Sequence, residues 1–178
     1  GILYLSFFSF LLLYALIIYI PILLTTEKFG LTGFWAGLFL AVQGISSGTA
    51  ATQARRLSGN FRRPMILAWG FLLMSLGLGC VFLSTAIWQI IGSLLVFGFG
   101  FGSVQPQLNT WITEQVGRKQ RGGLVSVFNM LKYIGQTTAP LLYGLLLILA
   151  DVHYVFLLAA GLGIGAVLIA LSLRRFAK

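Results

Sequence analysis

Six stretches of predominantly apolar residues alternate along this chain with short polar gaps. They run over about residues 2–24, 31–53, 65–83, 86–111, 124–149 and 152–174. A helix rises 1.5 Å per residue, so about 20 apolar residues cross the hydrocarbon core of a bilayer. The pattern predicts an all-α membrane protein, a single bundle of six transmembrane helices over residues 1–178. The gaps carry helix-breaking residues: Gly30 before the second stretch, Gly59 and Pro64 before the third, Gly117 with Gly122 and Gly123 before the fifth. The gaps near Thr85 and Asp151 are very short, which makes the spans they join antiparallel neighbours.

The six spans differ in what interrupts them. From Val155 to Leu171 the sixth contains only apolar residues and glycine, and the third is nearly as featureless. The second, fourth and fifth carry amides, and the first carries Tyr14 and Tyr19 at depth. A polar group inside a membrane is costly unless it meets a partner or water. The expected arrangement therefore puts the third and sixth helices toward lipid and the other four around an interior. At 100° per residue, Asn129, Lys132, Tyr133, Gln136, Pro140 and Tyr143 fall in one stripe of the fifth helix. Gly98, Gly102, Gln105 and Asn109 share a face of the fourth; Gln43, Ser46, Ser47 and Ala50 share a side of the second.

Three coherent stripes predict a hydrated path lined by Tyr14, Gln43, Gln105, Asn129, Lys132, Tyr133 and Gln136. The competing reading is that the amides bridge helices, at about 0.6–2 kcal/mol per contact, with no ligand involved. Small-xxx-small pairs (Gly33/Gly37, Gly44/Gly48, Gly98/Gly102, Gly161/Gly165) are expected to be close-packing sites. Pro106 and Pro140 each remove a backbone donor inside a span and are the candidate hinges. Lys132 lies about 12 Å beyond the start of the fifth span. Its ammonium either belongs to the path or snorkels to the cytoplasmic surface.

Composition agrees with a bilayer as solvent: 58% of residues are hydrophobic and 8% charged. Soluble domains are about a quarter charged. The net charge of +9 would suggest nucleic acid in a soluble protein, but here its position explains it. Arg55, Arg56, Arg62 and Arg63 share one gap, Arg118, Lys119 and Arg121 another, and Arg174, Arg175 and Lys178 the C-terminal end. The alternate gaps hold only Lys28 beside Glu27, and Asp151. Short loops rich in Lys and Arg stay in the cytoplasm, so both ends are expected there and no nucleic-acid partner is expected. Glu114, after the fourth span, is expected to pair with basic residues at that rim.

No Asp or Glu lies within a span, so any coupling proton would need a carboxylate outside this chain. Catalysis is not expected. Gly44-Ile-Ser46-Ser-Gly48 fits the G-x-S-x-G pattern, but lies inside a helix rather than on a strand-to-helix elbow. The one histidine, His153, sits at the opposite membrane edge. Gly98-Phe-Gly100-Phe-Gly102 lacks the third glycine and the preceding strand of a dinucleotide loop. The single cysteine, Cys80, excludes a disulfide framework or cysteine metal cluster, and no cofactor or metal is expected. With no initiator Met and no cleavable leader ahead of the first span, the chain is expected to be part of a longer polypeptide.

The segment RRLSGNFRRP from Arg55 resembles the cytoplasmic signature loop of the major facilitator superfamily, roughly G-x-x-x-D-R-x-G-R-R. Gly48 or a neighbour stands at its start, Gly59 at the later glycine and Arg62–Arg63 at the closing basic pair; the acidic residue is absent. The run Arg121-Gly122 through Ser126, Asn129, Lys132, Gly135, Pro140 and Gly144 is similar to the penultimate helix of drug-efflux facilitators. Ala139 replaces the glycine before the proline, and Tyr143 the first of the final glycine pair.

The resemblance implies the C-terminal half of a twelve-helix transporter in a bacterial inner (plasma) membrane. It implies two three-helix units of opposite orientation and alternating access against an absent N-terminal six-helix half. The expected partners are that half, membrane lipid, a small-molecule substrate and a possible coupling proton. The cytoplasmic gate is then expected at Arg55, Arg56, Arg62, Arg63, Glu114 and Arg121, with the Arg residues free to pair with groups in the other half. The transport reading favours efflux of a small organic solute. Its rivals are a six-helix scaffold that transports nothing and a half-size transporter acting as a homodimer.

Overall fold

The protein is described by a computed structural model over residues 1–25, 29–114 and 121–173, without the side chains of Arg55, Leu57 and Asn60. Glu27, Lys28, Arg118, Lys119, Arg174, Arg175 and Lys178, which carry much of the topological reading, lie outside the described residues. The helices are α1 (Ile2–Thr25), α2 (Gly33–Asn60), α3 (Arg63–Leu83), α4 (Ile87–Glu114), α5 (Arg121–Leu149) and α6 (Val152–Ser172), and the described residues hold no strand.

Local chemistry accounts for where several helices begin and end. Pro64 occupies the first turn of α3, where its missing N–H costs nothing. Asp151 caps α6, its carboxylate accepting from the His153 backbone N–H at 3.3 Å. The clearest departure from expectation is α2, which runs to Asn60 instead of stopping near residue 53. Most of the segment resembling a signature loop is therefore helical, and the connection to α3 shrinks to Phe61 and Arg62. The physical reason is that an apolar run marks the membrane, not the helix. Past the bilayer the polar turns of α2 continue because Gln107 of α4 holds them, its Nε2 donating to the Ala54 carbonyl (3.0 Å) and to Ser58 Oγ (2.7 Å).

The packing runs laterally in the order α2, α4, α3, α6, α1, α5. Exchanging α1 with α4, α2 with α5 and α3 with α6 returns nearly the same set of contacts. Each three-helix unit thus lends its middle helix to the first helix of the other: α2 lies on α4, and α5 on α1. α3 and α6 pack on each other behind α1 and α4. The core between these four helices is mostly apolar, with Leu12, Leu16, Phe71, Met74, Phe97 and Phe156 fully buried. Four helices, α1, α3, α4 and α6, are long and apolar enough to cross a membrane. The two outside that set, α2 and α5, are the flanking pair that carries Gln43, Asn129, Lys132 and Gln136.

Candidate functional site

On α5 the residues that pack inward are Phe128, Gly135, Ala139 and Tyr143, all buried. They set which face meets α1: Gly135 is so close that a Cβ there would lie 2.5 Å from the Phe7 carbonyl oxygen. With that edge fixed, 100° per residue turns the polar stripe progressively outward. Tyr143 is wholly buried, edge-on to Tyr19 at 6.0 Å. Lys132 and Gln136 are half-buried, Asn129 is exposed, and Tyr133 is 65% exposed.

Where α1, α4 and α5 approach one another, a polar cluster crosses the three helices. Gln105 Nε2 donates to Ser9 Oγ at 2.9 Å, and Ser9 Oγ donates on to the Ser6 carbonyl at 2.8 Å. One turn further along α4, Asn109 Oδ1 accepts from Lys132 Nζ at 3.3 Å. The ammonium lies 4.3 Å from the centroid of the Phe128 ring and 5.5 Å from that of Phe10. Both are within cation–π range. Phe10 meets Phe101 edge-on at 6.0 Å, and Phe101 stacks on Phe97 at 6.4 Å. The result is a cation set in an aromatic wall with amides on either side.

The expected lining residues separate into two groups. Gln105 and Lys132 belong to this cluster. Asn129 and Gln136 lie about one turn either side of Lys132 along α5, Tyr133 is on the adjoining exposed face, and Tyr14 is half-buried against the core. Gln43 stands apart. It is 7% exposed, on the α2 face that meets α4. A Cβ on Gly98 would lie 2.5 Å from the Gln43 carbonyl oxygen, and one on Gly102 would collide with that of Ser47. Ser46 Oγ donates to the Leu95 carbonyl at 2.7 Å. The α2 stripe is thus spent on helix packing. Ser9, Phe10 and Phe128 join the cluster without having been expected. Asn109, placed on the α4 stripe, enters it as the acceptor for Lys132.

Both candidate hinges lie inside unbroken helices. Pro106 leaves the Gly102 carbonyl without its usual donor along α4. Near Pro140, whose own carbonyl accepts from Tyr19 OH at 3.4 Å, α5 is tied to α1. At the rim of α3 and α4, Arg63 and Glu114 form a bidentate ion pair, with Nη2 to Oε1 at 2.8 Å and Nη1 against Oε2. One arginine of the gate region therefore finds its carboxylate within this same bundle. Arg56, Arg62 and Arg121 are exposed, and the side chain of Arg55 lies outside the described residues.

A sequence model of the Major Facilitator Superfamily matches residues 2–177. The chain belongs to the Major Facilitator Superfamily. No curated protein matches it at a significant level. Among solved structures, a peptide transporter POT in complex with sulfate superposes with a TM-score of 0.88 at 18% identity, over 99% of this chain and 37% of that one. A POT family transporter in complex with 5-aminolevulinic acid gives 0.86 at 15% identity, over 98% and 37%. The POT family transporter PepTSo gives 0.76 at 16% identity, over 99% and 37%. These likenesses show the fold alone. The chain spans a little over a third of the length of those transporters. It is an integral membrane protein with a facilitator fold, and that fold supports membrane transport.

Proposed function

We propose that this bundle is the C-terminal half of an alternating-access transporter and forms one wall of its central cavity. The cargo is a small organic solute, exported; the likeness of the α5 run to drug-efflux facilitators supports that direction. A companion six-helix unit completes the cavity opposite α1, α4 and α5, and both ends of the chain face the cytoplasm. One observation carries the reading: α5 turns Asn129, Tyr133 and Gln136 away from its buried edge and onto an open face beside the Lys132 cluster. Polar groups spent on helix packing would be buried, as Ser46 of α2 is.

Thiol accessibility in the full-length protein tests this. Cys80 is exposed and is first replaced, Cys80→Ser. Gln136→Cys should then react with a membrane-impermeant thiol reagent, whereas Leu168→Cys, on the apolar outer face of α6, should not. Reaction at Gln136→Cys no faster than at Leu168→Cys, with the transporter locked open to either side, would refute the cavity. The buried stripe of α2 favours the scaffold reading for that one helix, and such an outcome would extend it to the whole bundle.

A further inference from the structure

We propose that the Lys132 cluster is an anion-selective subsite, so that the solute carried is an amphipathic organic anion. The proposal rests on the cavity reading above and adds the charge of the cargo.

The starting point is an unbalanced charge. The whole chain has three carboxylates, Glu27, Glu114 and Asp151. Glu114 is held by Arg63 through both its oxygens, and Asp151 caps α6 beside His153. Among the described residues no carboxylate forms an ion pair with Lys132. What the ammonium has instead is one amide oxygen at 3.3 Å and two aromatic faces. An ammonium has three N–H donors, so this leaves hydrogen-bonding capacity as well as charge unsatisfied.

The ring faces of Phe10 and Phe128 attract the cation, but they accept no strong hydrogen bond and bring no negative charge. They do fix where the ammonium rests. Phe128 is 1% exposed and cannot swing away, and Asn109 holds the head group from the α4 side. The charge is therefore positioned at the junction of three helices while remaining half-exposed to the open face. Gln136, one turn along α5, and the Gln105–Ser9 pair border it with neutral donors and acceptors. A carboxylate, sulfonate or phosphate monoester would complete the ammonium. Phe10 and Phe101, both half-buried and edge-on to each other beside it, would suit an apolar or aromatic body.

Paired charged thiol reagents of similar size test the local preference without knowledge of the cargo. In the full-length protein carrying Cys80→Ser and Gln136→Cys, the rate with 2-sulfonatoethyl methanethiosulfonate is compared with that of its trimethylammonium-ethyl counterpart. A cleft lined by one sign of charge concentrates counter-ions by about 10-fold or more. The anion-to-cation rate ratio should exceed that of a free thiol by about tenfold, fall to the free-thiol value in Lys132→Gln, and persist in Lys132→Arg. A ratio at Gln136→Cys that is unchanged by Lys132→Gln overturns the proposal. That is also the result expected if an acidic residue of the companion half neutralises Lys132. No reaction with either reagent would instead refute the cavity itself, so the two failures are distinguishable.

Discussion

Two seams in this bundle are structural counterparts and have been put to opposite uses. α2 lies on α4, and α5 lies on α1, related by the exchange of the two three-helix units. In the α2–α4 seam, Gly98 and Gly102 bring α4 against the backbone of Gln43 and Ser47, and Ser46 bonds across to Leu95. In the α1–α5 seam a single glycine, Gly135, makes the close approach, against Phe7. Toward one end of it Tyr19 and Tyr143 seal the contact; toward the other, Lys132, Phe128, Phe10 and Asn109 stand around a charge. Two glycines a turn apart close one seam along its middle and use up its polar stripe. One glycine pins the other at a point and leaves the stripe beside it facing out.

If close approach decides the difference, adding a methyl group at the glycines should have the largest effect. A Cβ at Gly102 meets the Ser47 carbonyl, a backbone atom that cannot rotate aside. Gly102→Ala should lower the unfolding free energy in detergent micelles by about 3 kcal/mol, the upper part of the usual overpacking range. Gly135→Ala, against the Phe7 carbonyl, should cost about 2 kcal/mol. Gly48→Ala, on the open side of α2 where no atom lies within 4 Å, should instead raise stability by about 0.5–1 kcal/mol, the helix-propensity difference alone. Equal gains at all three positions would mean that helix propensity, which favours Ala over Gly, is being measured rather than interhelical distance.

Although among the described residues only α1, α3, α4 and α6 are apolar enough to cross a membrane by length and composition, the number and order of the helices were legible from apolar stretches alternating with breaker residues. Helix ends outside the bilayer were not, as the tail of α2 from Ala54 to Asn60 shows; there a glutamine 49 residues away, Gln107 to Ser58, sustains the helix. Periodicity placed Gln43 and Ser46 on one face and Asn129 and Gln136 on another, but it does not say what each face meets. The Gly98/Gly102 pair closes the first face, but the same spacing at Gly33/Gly37, Gly44/Gly48 and Gly161/Gly165 meets open space, so the spacing alone did not tell which face would be closed. Phe10 and Phe128 gave no signal at all. An aromatic ring in an apolar run reads as filler until a cation is found over it.

A smaller effect is expected where the two units meet at the rim. Arg63 and Glu114 tie α3 to α4 across 51 positions of chain, with side chains 29% and 52% exposed. Solvent screening limits even bidentate pairs of this kind to about 0.5–1 kcal/mol. A double-mutant cycle with Arg63→Gln and Glu114→Gln should return a coupling in that range, shrinking as salt is raised. Within the closed seam, Ser46→Ala removes one interhelical hydrogen bond. It should cost about 0.6 kcal/mol, the average for such bonds in membrane bundles. A loss several times larger would mean that the hydroxyl, rather than the glycines, holds α2 in place.

The smallest effect should come from the turn joining α5 to α6, which belongs to neither seam and calibrates what a local change costs. The Asp151 carboxyl is held below its ordinary value first by the hydrogen bond from the His153 ring at 3.1 Å and then by the backbone N–H of the same residue. A carboxylate with a depressed folded-state pKa adds stability that is complete above the unfolded value, about 3.9. That increment is lost as pH falls through the folded value. Asp151 is exposed, so the increment is about 0.3 kcal/mol after screening. Asp151→Asn keeps the cap and removes the charge. Unfolding followed from pH 6 to pH 3 should therefore show the parent converging on the variant at the acid end. The separation between Gly102→Ala and Gly135→Ala should stay constant over the same range, since neither seam contains a carboxylate among the described residues.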